Sequence, residues 1–143
     1  MKKLCIVTLL LIVSASLFAQ GVPEDVAASA ASRPAAIVAS TSWTAAFADL
    51  GGVDDVPFIA PANLIHPPEY EIIVGDVLKI NNADYFIYAG YERMMQSMGS
   101  SIKKDEASMI KINTNNSIEN VREQASLIAA VMGTQAESTK RVA

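Results

Sequence analysis

The sequence predicts an α/β fold, a parallel sheet of about four strands flanked by helices, and three observations carry that reading. Short apolar runs alternate with helical patterns from Ala35 onward. The runs are five to seven residues long, as buried parallel strands are. Their connections are short, which implies right-handed β-α-β crossovers in a layered domain. At 143 residues, with 51% hydrophobic and 18% charged content, the chain makes one domain at most and is not disordered by composition.

Residues 1–19 read as an export signal. Lys2 and Lys3 supply the positive start, 4–13 an apolar run, and Leu17-Phe18-Ala19 a cleavage site before Gln20. The run is shorter than the ~20 residues a membrane-spanning helix needs. Residues 20–34 are small and polar without an apolar period, and read as a tether. The expected location is therefore periplasmic or otherwise extracytoplasmic, with an α/β substrate-binding lobe over 35–143.

Strands are expected at AIVAS (36–40), VPFIA (56–60), DYFIYAG (84–90) and SMIKIN (108–113). Between the first two, Trp43, Ala46, Phe47 and Leu50 recur at i, i+3, i+4, i+7. That helix is expected to pack its Trp43 stripe on the sheet and end at Gly51-Gly52. A short helix is expected over 76–81. Another follows the third strand with Met94, Met95, Met98 and Ile102 as its apolar face, methionines read as core filler. The clearest helix is capped by Asn116, with Glu119 reaching back. Its face is Ile118, Val121, Ala125, Ile128 and Met132, and Gly133 ends it. Thr134 and Glu137 then have capping-box spacing for a last helix. The chain stops about two turns later, which leaves open a truncated lobe.

Cys5, the only cysteine, lies inside the signal, so the processed chain offers no thiol for disulfides, thiolate catalysis or zinc. Loss of Lys2 and Lys3 leaves nine basic against fifteen acidic residues, a net charge of −6, which speaks against nucleic-acid partners. No P-loop, GxGxxG, GxSxG or HExxH is present, and no nucleophile–base pair suggests an enzyme.

In open parallel sheets, ligands bind at the carboxyl ends of the strands. The first strand delivers Ser40, Thr41 and Ser42 to a helix N-terminus, as plain caps or as an anion site. The second leads into PANLIHPPEYE, a loop of eleven residues holding His66, Glu69, Tyr70 and Glu71. The third ends in YAGYE, which brings Tyr88, Tyr91 and Glu92 to the same edge. His66 is the single histidine, a nitrogen ligand suited to zinc or manganese with carboxylates completing the site. A polyproline II segment through Pro67-Pro68 would hold His66 and Glu69 roughly 9 Å apart. The two can share an ion only if the loop turns sharply.

These pieces, taken in order, resemble the N-terminal lobe of the periplasmic substrate-binding proteins of metal ABC transporters, the zinc and manganese type. IVASTSWTAAFADLGG follows the tether. HPPEYE stands where that family has D-P-H-x-Y-E, and VGDVLKINNADYFIYAG where it has a P-S-D helix and an A-D strand. NVREQASLIAAVMGT closes the match. The resemblance implies a single Rossmann-like lobe, half of a two-lobe protein that binds a divalent ion between its lobes. It further implies delivery to a membrane permease and no enzymatic activity, the ion being cargo rather than cofactor. His66, Glu69 and Glu92 become candidate metal ligands, with Ser42, Trp43, Tyr70, Glu71 and Tyr91 lining the cleft. One departure matters: the family's histidine falls at Pro68, two residues beyond His66. That keeps open a corrinoid, haem or siderophore cargo held by Trp43, Tyr70 and Tyr91, or a lobe without transport activity.

Overall fold

Three short apolar stretches meet as a parallel sheet. They are β1 (Ile37–Ala39), β2 (Tyr85–Tyr88) and β3 (Met109–Lys111), in the order β1-β2-β3. Val38 pairs with Phe86, and Ile87 with Ile110. The computed structural model describes residues 35–98 and 101–143; the expected signal peptide and tether lie outside the described residues.

The α/β class is as expected, but three strands stand where about four were expected. The segment 56–60 does run beside β1: the Ala39 N–H donates to Pro57 O at 2.8 Å and the Ile59 N–H to Ala39 O at 2.9 Å. Its pairing nevertheless reduces to one parallel bridge, Ala39 to Phe58. Pro57 has no N–H to give and Pro61 ends the stretch, so an edge segment bracketed by prolines is too short for a full strand.

Five helices are described: α1 (Ser42–Leu50), α2 (Val74–Asn82), α3 (Arg93–Met98), α4 (Ile118–Met132) and α5 (Gln135–Arg141). Side chains alternate across each strand, so the sheet builds two cores. On one face Ile37, Ile87, Ile110 and Ile112 pack with Phe47 and Ala48 of α1 and Ile128 of α4. On the other, Val38 and Phe86 pack with Ile59, Ile80 of α2 and Met94 of α3. Fully buried side chains such as Phe86 and Ile80 each contribute about 1.5–3 kcal/mol. Helices on both faces make three layers, which leaves the carboxyl edge of the sheet open for a site.

One expected helix face is rotated. In α1 the buried positions are Thr44, Phe47 and Ala48, with Gly51 just beyond, while Trp43 is 55% exposed. The spacing is the expected one shifted by one residue. Polar bonding at the helix start causes the shift, because Thr41 and Thr44 form a reciprocal capping box that turns Thr44 inward. In α4 the expected face holds except at its first residue: Ala125 and Ile128 are buried, Val121 and Met132 pack against the same core as Ile128, and Ile118 is 72% exposed. Ser117, not Asn116, caps that helix, accepting from the Asn120 N–H at 3.3 Å. Gly133 ends it at φ 73°, in the left-handed region, as expected.

The expected Thr134–Glu137 box is absent in α5. Thr134 Oγ1 instead donates to Gly51 O at 2.6 Å, tying the start of α5 to the end of α1. Arg141 completes that tie, bonding the Asp49 carboxylate at 2.8 Å and Asp54 at 2.9 Å. Asp54, beside the glycines that end α1, is thus half of an ion pair. Among the described residues no helix is long and apolar enough to cross a membrane.

Candidate functional site: two hollows at the carboxyl edge of the sheet

Where β1 and β2 end, one carboxylate gathers both turns. Glu92 is 1% exposed. Its Oε1 accepts from Ser40 Oγ at 2.5 Å and from the Ala89 N–H at 2.8 Å, and its Oε2 from the Gly90 N–H at 2.6 Å. A buried carboxylate with both oxygens bonded is tolerated because its lost hydration is replaced. Gly90 has φ 92°, a conformation glycine adopts freely, and that lets the chain double back onto Glu92. Glu92, expected among the metal ligands, is therefore committed to the chain's own donors and lines neither of the hollows that hold His66.

The residues next to those bonds form a hollow of about 260 Å³. Ser42 and Trp43, just past Ser40, line it together with Tyr91, which lies between Gly90 and Glu92 in the chain, and with Ile65, His66 and Pro67. Ser42, Trp43, His66 and Tyr91 are thus brought together from three separate turns. At the start of α1, Thr41 and Thr44 serve as caps, since their hydroxyls are used within the helix.

HPPEYE folds differently from a polyproline II segment. Pro67–Glu69 form one turn of 3-10 helix, with the Glu69 N–H donating to His66 O at 3.0 Å and the Tyr70 N–H to Pro67 O at 3.1 Å. A 3-10 turn brings residues three apart onto one side. Accordingly, His66 and Glu69 share a second, wide-open hollow with Tyr70 and Glu71. Trp43 does not line that hollow, and Tyr70 and Glu71 do not line the one that holds Trp43. Glu71 makes an exposed 3.5 Å ion pair with Arg93, which contributes little.

Tyr70 has a structural partner instead. Its hydroxyl donates to Asp76 at 2.8 Å, and buried Asp76 also accepts from the Ile73 N–H at 3.3 Å and Lys79 Nζ at 3.2 Å. Burial pushes the Asp76 carboxyl up, but the bonds from Tyr70, Ile73 and Lys79 outweigh it and hold the group below the usual range. The same hydrogen bond, with burial, raises the Tyr70 phenol. Tyr88 is also raised, by burial first and then by the charges of Glu92 and Glu106.

A third hollow, of about 420 Å³, opens past the ends of β2 and β3 and is lined by Tyr91, Lys111, Asn113, Thr114 and Gln124. Tyr91 walls both it and the His66 hollow, its hydroxyl 3.1 Å from Thr114 Oγ1. Apart from Tyr91, sequence reasoning missed these residues, although SMIKIN ends at the same edge as the other strands. Among the described residues no three His, Cys, Asp or Glu side chains converge as a ready-made metal cage. Comparison with protein-family models and with curated proteins finds no match to this chain.

Proposed function

We propose that this chain is the extracytoplasmic solute-binding component of an ABC importer, carrying a divalent transition metal such as zinc or manganese to a membrane permease. One observation carries the proposal: an exposed imidazole, His66, sits in a hollow at the carboxyl edge of a parallel sheet, between Trp43 and Tyr91. Ligand sites of open α/β sheets lie at that edge. An imidazole is a good ligand for either ion, and Glu69 follows it on the same side of the 3-10 turn. The resemblance of the sequence to metal-binding lobes of importers points the same way. The mechanism is capture and handover, without bond chemistry.

Calorimetric titration of the full chain with zinc and with manganese tests the proposal. Binding should be seen with the parent and lost in His66→Ala; absence of binding in both would sink it.

A second cargo class, a corrinoid, haem or siderophore, is favoured by a separate feature: Trp43 and Tyr91, 55% and 53% exposed, both line one hollow. Flat aromatic walls suit a planar ligand. A haem or cobalamin absorbance shift that disappears in Trp43→Ala would establish it.

A further inference from the structure

We propose that the hollow past the ends of β2 and β3 is a subsite for a carboxylate, with Lys111 as its cation and Gln124 as its neutral donor. The Lys111 side chain crosses directly over Gly90, where a Cβ would meet Lys111 Cε at 2.6 Å and Nζ at 3.1 Å. Gly90 thus permits both the turn and the path of the lysine along the hollow. Among the described residues no carboxylate lies within ion-pair distance of Lys111. What sets Lys111 apart from the other lysines is its place along a hollow.

Gln124 supplies the independent observation. It is 8% exposed, and its Oε1 accepts from the Asn113 N–H at 3.0 Å, which fixes the orientation of the amide. Its NH2 group has no partner among the described residues, yet the side chain lines the hollow. That group reaches the solvent of the hollow, so a ligand acceptor can replace the water bonded there. Thr114 and Tyr91 add hydroxyls, and no acidic side chain lines the space. The ammonium and the neutral donors together suit a carboxylate, which accepts hydrogen bonds at both of its oxygens.

Because Tyr91 divides this hollow from that of His66, one ligand can span both. A carboxylate would rest at Lys111 while the rest of the molecule, or an ion it chelates, lies at His66 and Trp43. That spanning step rests on the proposed function; the anion site itself does not.

Citrate, inorganic phosphate and zinc ion, each titrated separately into the full chain, distinguish the two ideas, with calorimetry and the emission of Trp43 as readouts. Citrate should bind, and Lys111→Met should weaken it about tenfold or more, the scale of one charge-assisted hydrogen bond. Gln124→Glu keeps an acceptor for the Asn113 N–H but places a negative charge in the hollow, and should abolish citrate binding. Both variants should leave the zinc response unchanged, whereas His66→Ala should remove zinc and spare citrate. Citrate binding that is absent in the parent, or unaltered by Lys111→Met, overturns the subsite. Phosphate binding more tightly than citrate with the same Lys111 dependence overturns the carboxylate assignment. Citrate binding without zinc binding defeats the metal cargo alone.

Discussion

Glu92 holds together two turns whose neighbours form the candidate site. Ser40 and Gly90 are its partners, while Ser42 and Tyr91, one or two residues away, both line the His66 hollow. Removing the carboxylate leaves a buried hydroxyl and two backbone N–H groups short of an acceptor. Glu92→Ala should therefore cost roughly 3 kcal/mol, read from the denaturant midpoint. Glu92→Gln keeps one oxygen and should cost less, while either change should shift the emission of Trp43, the only tryptophan. Asp76 makes a different prediction, about acid. Its folded pKa lies below its ordinary value of 3.8, so the unfolded chain binds the proton more readily. The stability it contributes is present in full above that ordinary value and is lost as pH falls through the lower, folded one. Urea midpoints measured from pH 6 downward should fall less steeply at the acid end for Asp76→Asn than for the parent, beyond any uniform loss from the substitution. A parallel decline would remove Asp76 from the account.

At the scale of elements, α1 meets α4 without clearance. A Cβ on Gly51 would lie 2.8 Å from Ile128 Cγ2. Gly51 has an ordinary φ of −70°, so the penalty for a side chain there is steric rather than conformational. Gly51→Ala should cost about 1–3 kcal/mol through overpacking, and shortening the partner with Ile128→Val should recover part of that in the double variant. This contact also explains what the sequence could and could not reveal. The helix period of α1 was legible, as were the glycine ends at Gly52 and Gly133 and the position of β2. The phase was not, because the true stripe uses Thr44 and Gly51, residues that hydrophobicity alone does not count. The edge segment at 56–60 read as a strand because periodicity cannot weigh prolines against ladder length. In the site, Ser42, Trp43, His66 and Tyr91 were legible as residues at one edge. Glu92 was placed at the right edge but with the wrong partners, since its bonds are to backbone that no side-chain pattern encodes. Lys111 and Gln124 were not singled out, because they meet only through the packing of α4 beside β3.

Across the whole molecule, the sheet separates two cores that share strands but not side-chain faces. Ile128 of α4 belongs to one and Ile80 of α2 to the other, both fully buried. Each loses one methylene in an Ile→Val change, at a cost of about 0.5–1.5 kcal/mol. If the sheet transmits little between its faces, the double variant Ile80→Val/Ile128→Val should lose the sum of the single costs to within about 0.5 kcal/mol. Ile87→Val/Ile128→Val, with both residues in one cluster, should depart from additivity, because relaxation around the first cavity alters the cost of the second. Denaturant titrations of the six proteins, parent included, give both cycles. Additivity across the sheet would mean that either core can loosen without loosening the other. The carboxyl edge, fastened by Glu92 to β1 and β2 alike, would then be the one place where both faces bear on a ligand. Strong coupling between Ile80 and Ile128 would instead show that the strands move as one with both helical layers, and that the hollows feel every core substitution.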